Sequence, residues 1–144
     1  MDERVAAFIE ENPSAAMVTL RADGTPHTAR IGVAVVDGKI WSSATQTRVR
    51  TKHLRRDPRS NLFVFDTSPT SKWLGLETEV TILEGPDVPE LSFGLMRRMQ
   101  KDRAPEGKVG WFGGMLTKEE FMATMLEERR LIYEFHVKRA YGYY

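Results

Sequence analysis

The chain has 144 residues, with 21 Lys and Arg against 20 Asp and Glu and no cysteine. A net charge of +1 argues against a generally basic nucleic-acid surface, and the missing cysteines exclude disulfides and thiolate chemistry. The length suits one domain over 1–144, no run reaches the ~18 apolar residues of a membrane span, and Met1-Asp2-Glu3-Arg4 opens no apolar leader core, so the expectation is a cytoplasmic protein with no membrane partner.

Val5, Phe8 and Ile9 have i, i+3, i+4 spacing, which predicts a short helix over 3–11, stopped at Asn12-Pro13. Residues 16–20 read as a short strand, 26–36 as a long β-rich segment and 39–44 as another strand. Asp23-Gly24 and Asp37-Gly38 between them are hairpin signals, so 16–44 is expected to be a three-stranded antiparallel meander.

The run Thr47 to Pro58 then places five Arg or Lys and one His against a single acid. Thr47 suits a helix cap, Arg48 to Arg56 make about two helical turns, and Pro58 ends them. Free N–H groups and the positive dipole end of such a helix favour an anion at its first turn. Arg48 and Arg50 lie beside that end and Lys52 one turn on, supplying planar forks and a compact charge for phosphate oxygens. Arg55, Arg56 and Arg59 fall further along. Two other readings stay open: a solvated basic face, or a helix that grips nucleic-acid phosphates, which the low net charge disfavours.

Residues 62–65 form a buried strand by composition, 68–71 a loop, and 73–83 a further long strand closed by Gly85-Pro86. Leu91, Leu95, Met96 and Met99 have helical spacing. Residues 103–114, with Pro105 and four glycines, read as a loop. Thr117-Lys118-Glu119-Glu120 is a capping box, with Leu116 and Phe121 as its staple, opening a helix over 118–129 that buries Phe121, Met122, Met125 and Leu126. Residues 131–137 return to a strand. Six strands, mostly hairpin-linked, predict a mainly β fold: a closed six-stranded antiparallel barrel with short flanking helices.

Asp23-Gly24-Thr25-Pro26-His27, Ile40-Trp41-Ser42-Ser43 and the run from Thr47 to Arg59 together resemble the pyridoxamine-phosphate-oxidase-like split β-barrel superfamily, closest to its flavin/deazaflavin oxidoreductase branch B. The likeness covers residues 14–84 and, weakly, Arg139-Ala140-Tyr141-Gly142. It implies a homodimer with cofactor sites at the subunit interface. It further implies that Arg48, Val49, Arg50 and Lys52 hold a cofactor phosphate, and that the backbone near Ile31-Gly32 and Ser42-Ser43 lines the ring. Trp73 sits where that branch carries an aromatic beside the cofactor groove; a core tryptophan at a loop edge is the other reading. The family's Glu-Gly pair is Glu79-Val80 here, which predicts a different bend, and the C-terminus lacks the Arg/His pattern of true pyridoxamine phosphate oxidases, which disfavours the vitamin B6 reaction.

The function implied by this resemblance is that of an oxidoreductase that uses the deazaflavin coenzyme F420 to reduce an apolar conjugated small molecule. FMN is the alternative cofactor, and a non-catalytic flavin, haem or lipid carrier the alternative class. The spare basic residues Arg55, Arg56 and Arg59 suit the acidic tail that the deazaflavin coenzyme carries and FMN lacks. A cofactor that carries the chemistry suits a sequence with no triad, no paired acids and no metal cluster; no side chain is assigned as catalytic. His27, His53 and His136 are read as structural or surface groups. The apolar residues between 87 and 115, Phe93, Met96, Met99, Trp111, Phe112 and Met115, are open to three readings: core, a lid over substrate, or a dimer surface.

Overall fold

The computed structural model describes residues 1–144, apart from the side chain of Asp102. In chain order the elements are α1 (Glu3–Glu11), β1 (Ser14–Leu20), β2 (Pro26–Gly32), β3 (Ala34–Val36), β4 (Lys39–Thr45), α2 (Val49–Arg56), β5 (Arg59–Phe65), β6 (Trp73–Leu83), α3 (Val88–Gln100), a 3-10 turn (Lys101–Arg103), β7 (Lys108–Trp111), β8 (Gly114–Thr117), α4 (Lys118–Glu127) and β9 (Arg130–Tyr143).

Seven strands form one antiparallel sheet in the order β2-β1-β5-β6-β9-β4-β3. The strands at its two edges, β2 and β3, are separated in the chain by Val33 alone. The sheet therefore curls until one bent segment serves both edges, which is how a split barrel closes. The expected six strands become seven because the segment 26–36 breaks at that bend. Its first half pairs with β1, Thr19 opposite His27, and its second with β4, Ala34 opposite Trp41. The expected meander is thus two hairpins sharing a bent strand. Both Asp-Gly turns form, with Gly24 at φ 86° and Gly38 at φ 74°.

Alternation sets the core. Met17, Ile40, Leu62, Leu74, Leu76, Tyr133 and Phe135 all point into the barrel and are essentially inaccessible. Val5, Phe8 and Ile9 of α1 join them, near the end where β1 begins, and Phe8 packs on Tyr144. At the other end of β1, α2 inserts Leu54 and bonds Thr19 through His53. Outside the barrel, α3 covers Ile132, Trp41 and Leu83 with Leu91, Leu95 and Met96.

Three sequence expectations change. Residues 103–114 are no loop: β7 and β8 form a hairpin that packs Val109 on Phe121 and Met125. In α4, Phe121 and Met125 are buried, whereas Leu126 is exposed. The last strand runs to Tyr143, because it follows β6 along all of its eleven residues, with a register shift at Glu77/Thr78. That irregularity falls just before Glu79-Val80, where a different bend is expected.

Candidate anion-binding site

Helix α2 opens without a side-chain cap. Its N-cap is Arg48, in extended backbone, and Thr47 instead sets its hydroxyl 3.2 Å from that of Thr45. The Arg48 carbonyl accepts from Thr51 N at 3.1 Å and Lys52 N at 3.4 Å, and Arg48 N donates to the Thr45 carbonyl at 3.3 Å. Among the described residues the N–H groups of Val49 and Arg50 have no partner. They form an open, electropositive helix end.

A buried relay fixes this end against the barrel. Tyr133, fully buried on β9, donates its hydroxyl proton to Thr51 Oγ1, which donates in turn to the Thr45 carbonyl at 2.7 Å. Burial holds the Tyr133 phenol above its usual range, so it stays a neutral donor. Sequence reasoning misses both Thr51 and Tyr133. Thr51 does carry a signal, since it lies three residues before Leu54 on the buried face of a two-turn helix.

Arg50 is the unusual member. Its Nε is buried with no hydrogen-bond partner, and its guanidinium lies 6.0 Å from the Tyr133 ring centre. Burial is the main cause that pulls it below the ordinary arginine range; Tyr133 opposes this, and Arg48 and Arg130 add to it. An arginine stays charged under such pressure. Arg50 is therefore a half-buried, partly desolvated cation with no carboxylate paired to it among the described ion pairs. Arg48 and Lys52 are exposed beside it.

The rest of the basic run is spent locally. Arg55 forms a two-pronged pair with Glu84, both bonds 2.9 Å; Arg59 pairs with Asp57 at 2.8 Å; Arg56 donates to the Leu20 carbonyl. Hydrogen bonds from Arg59 hold the pKa of the Asp57 carboxyl at about 2. His53 is buried, with Nδ1 2.8 Å from Thr19 Oγ1 and its ring edge-on to His27 at 5.3 Å. It anchors α2 and does not extend the positive surface. His136 bonds Thr81 at 2.9 Å. Among the described residues no three His, Asp or Glu side chains form a metal cluster.

Ser42, Ser43, Arg48, Val49, Arg50 and Lys52 lie together on β4 and the start of α2. Ser42 is buried opposite Tyr133, while the Ser43 hydroxyl is buried on the other face without a partner. Ile31 turns its side chain into the core, so only its backbone is available. Gly32 abuts Pro13 and Met99, where a Cβ would meet the Met99 methyl at 2.7 Å; β2 touches β4 across the bend. Trp73 lies elsewhere. It pairs with Tyr143, thirteen residues along β9 from Arg130, which pairs with Thr45 beside α2. Trp73 is half-buried with Phe63 and Tyr141 in an aromatic strip, and with Phe63 and Phe65 it lines a groove of about 620 Å³. An adjoining groove of about 680 Å³ runs between Asn12-Pro13, Arg30 and Phe65. Neither groove includes any residue of α2.

The sequence pattern of the family described as pyridoxamine 5'-phosphate oxidase matches residues 1–112. The chain belongs to this family. Among solved structures, a conserved hypothetical protein, Rv2991, from Mycobacterium tuberculosis superposes with a TM-score of 0.75 at 23% identity, covering 99% of this chain and 84% of its own. An F420 reductase aligns with a TM-score of 0.71 at 17% identity, covering 98% of each chain. The heme storage protein HutZ from Vibrio cholerae gives 0.68 at 12%, covering 99% of this chain and 94% of its own. At these identities the likeness establishes the split-barrel fold. Among curated proteins no sequence matches. Among the described residues no helix is long and apolar enough to cross a membrane.

Proposed function

We propose that the chain is a homodimeric oxidoreductase that binds the deazaflavin coenzyme F420 and reduces an apolar conjugated small molecule. One observation carries the binding half of this reading: Arg50, a partly desolvated guanidinium with an unmet donor, stands at an open helix end. A phosphate there would satisfy Arg50 and the Val49 and Arg50 N–H groups, with Arg48 and Lys52 adding charge. The site is otherwise costly, since a buried donor left unmet destabilises by about 1–3 kcal/mol.

When bound, the coenzyme supplies hydride transfer. The chain's own groups bind and orient. Thr51 and Tyr133 would fix the helix end, Ser42-Ser43 and the Ile31-Gly32 backbone would border the ring, and α3 covers Trp41 of β4. Trp73 and its two grooves lie at the far end of β9 from Arg130, and neither groove includes a residue of α2. In a homodimer, Trp73 of the partner subunit would close the site, and this supports the dimeric reading.

FMN is the second reading, and the local pairing of Arg55, Arg56 and Arg59 favours it, because it occupies the basic residues suited to the acidic tail of the deazaflavin coenzyme. Fluorescence titration with F420 and FMN decides: tighter F420 binding supports the lead, and the reverse order overturns it. Bound cofactor without turnover on conjugated acceptors would indicate a carrier. Light scattering of the purified chain tests the dimer, and a monomer with full cofactor affinity would refute the shared site.

A further inference from the structure

The run at 47–58 is not the whole of the positive site. Arg130, the first residue of β9, pairs across the sheet with Thr45, the residue whose carbonyl holds both Arg48 N and the Thr51 hydroxyl. Its side chain is nine-tenths buried, and its charge is among those that lower the Arg50 pKa. The pairing thus sets the start of β9 beside the residue that fixes the open end of α2, and brings a further guanidinium into the neighbourhood of Arg48 and Arg50.

Arg130 is also held with unusual care. Its Nε and one terminal nitrogen both donate to Glu128 Oε1, at 3.0 and 2.7 Å. The second oxygen of Glu128 accepts from the Trp111 indole at 3.2 Å, and Arg130 lies over the Trp111 ring at 4.9 Å. Glu128 therefore spans Trp111 and Arg130, and Trp111 joins the β7–β8 hairpin to the site. A staple that only tied the hairpin down would not require a third guanidinium beside two unpaired ones, where like charges repel.

We infer that Arg130 is the third anion-binding arginine of this site, held ready by Glu128 and Trp111, and that a phosphoryl group competes with Glu128 for it. The inference rests on the phosphate reading of α2 and names a residue that the basic run does not contain. It gives Glu128 an opposite role: the carboxylate keeps Arg130 in place in the free protein and opposes the incoming anion.

The probe is inorganic phosphate, common to both candidate cofactors, titrated by calorimetry against the full chain at constant ionic strength, with chloride as the control. Arg130→Gln should weaken phosphate at least tenfold. Glu128→Gln should strengthen it about threefold or more, because the competing charge is gone while the shape is kept. The opposite signs at Arg130 and Glu128 are what a purely structural staple would not produce. If Arg130→Gln folds and binds phosphate like wild type, or if Glu128→Gln weakens binding, the inference is overturned while the α2 site stands. If wild-type protein prefers phosphate no more than chloride, both fail. Should Arg130→Gln not fold, the sign of the Glu128→Gln effect alone decides.

Discussion

Replacing Arg50 by Met should make the ligand-free protein more stable and abolish its response to phosphate. Met keeps much of the apolar stem that lies toward Tyr133 and removes a guanidinium whose Nε is buried without a partner. Leaving such a donor unmet costs about 1–3 kcal/mol; Arg50 is only half-buried, so the low end, ~1 kcal/mol, applies. Unfolding entropy near ~2.1 cal/mol/K per residue over this chain amounts to about 0.3 kcal/mol/K, so the gain appears as roughly 3 °C in Tm. Phosphate at about ten times its Kd stabilises wild type by ~1.4 kcal/mol and the variant by nothing, which reverses the order. Scanning calorimetry with and without phosphate reads both effects. If Arg50→Met melts below wild type in phosphate-free buffer, Arg50 is already satisfied in the free protein and the argument from desolvation is wrong.

Gly142 has φ 136°, and a Cβ there would lie 2.4 Å from the Trp73 carbonyl oxygen. Gly142→Ala should therefore cost about 2 kcal/mol or more, seen as a Tm fall of at least ~6 °C; an unchanged Tm would show that the β6–β9 pairing relaxes there. Thr117 and Glu120 form a reciprocal capping box, so Thr117→Ala should cost about 1 kcal/mol in urea unfolding, with no change in phosphate affinity. Burial, then His27, Arg56 and Arg21, hold His53 below the ordinary histidine value of 6.5. The unfolded chain therefore takes up the proton first, and stability present above pH 6.5 is lost as pH falls below it. Urea unfolding at pH 7.5 and 5.5 should show this loss, smaller in His53→Gln; equal losses in both proteins would assign it to another group.

Much of this fold is legible where local chemistry and tertiary demand agree. The two Asp-Gly turns, the capping box at Thr117 and the stop at Asn12-Pro13 each act through neighbouring residues, and each forms. Elements stabilised from a distance are not legible. The β7–β8 hairpin has a glycine-rich sequence, and its first strand is held from outside. The Gln100 amide bonds both backbone groups of Gly110 at 2.7 Å, and Arg97 donates to the Lys108 carbonyl at 2.8 Å. The length of β9 is likewise set by its partner β6, not by alternation after Val137. At the site, the basic helix can be read, but Thr47 cannot be rejected as its cap without knowing that its hydroxyl meets Thr45. Arg130 carries no sequence signal linking it to a helix some eighty residues earlier; only the pairing of β4 with β9 brings them together.

The division of charge within the basic run bears directly on which cofactor is chosen. The exposed pairs Arg55–Glu84 and Arg59–Asp57 contribute little to stability, and an acidic tail arriving at that surface would first have to displace Glu84 or Asp57. A tail thus gains little there, and salt would screen what it gains. Arg50 differs because it is partly desolvated, but the phosphate proposed for it is one that both cofactors carry. Neither half of the run therefore gives the deazaflavin coenzyme an advantage over the flavin. On the proposed reading, discrimination comes from the residues proposed to surround the ring: the Ser42-Ser43 stretch, the backbone at Ile31-Gly32, and Trp73 of a partner subunit. Exchanging Trp73 for Leu should then change the ratio of F420 to FMN affinity while leaving inorganic phosphate affinity untouched. A ratio that does not move would remove Trp73 from the site.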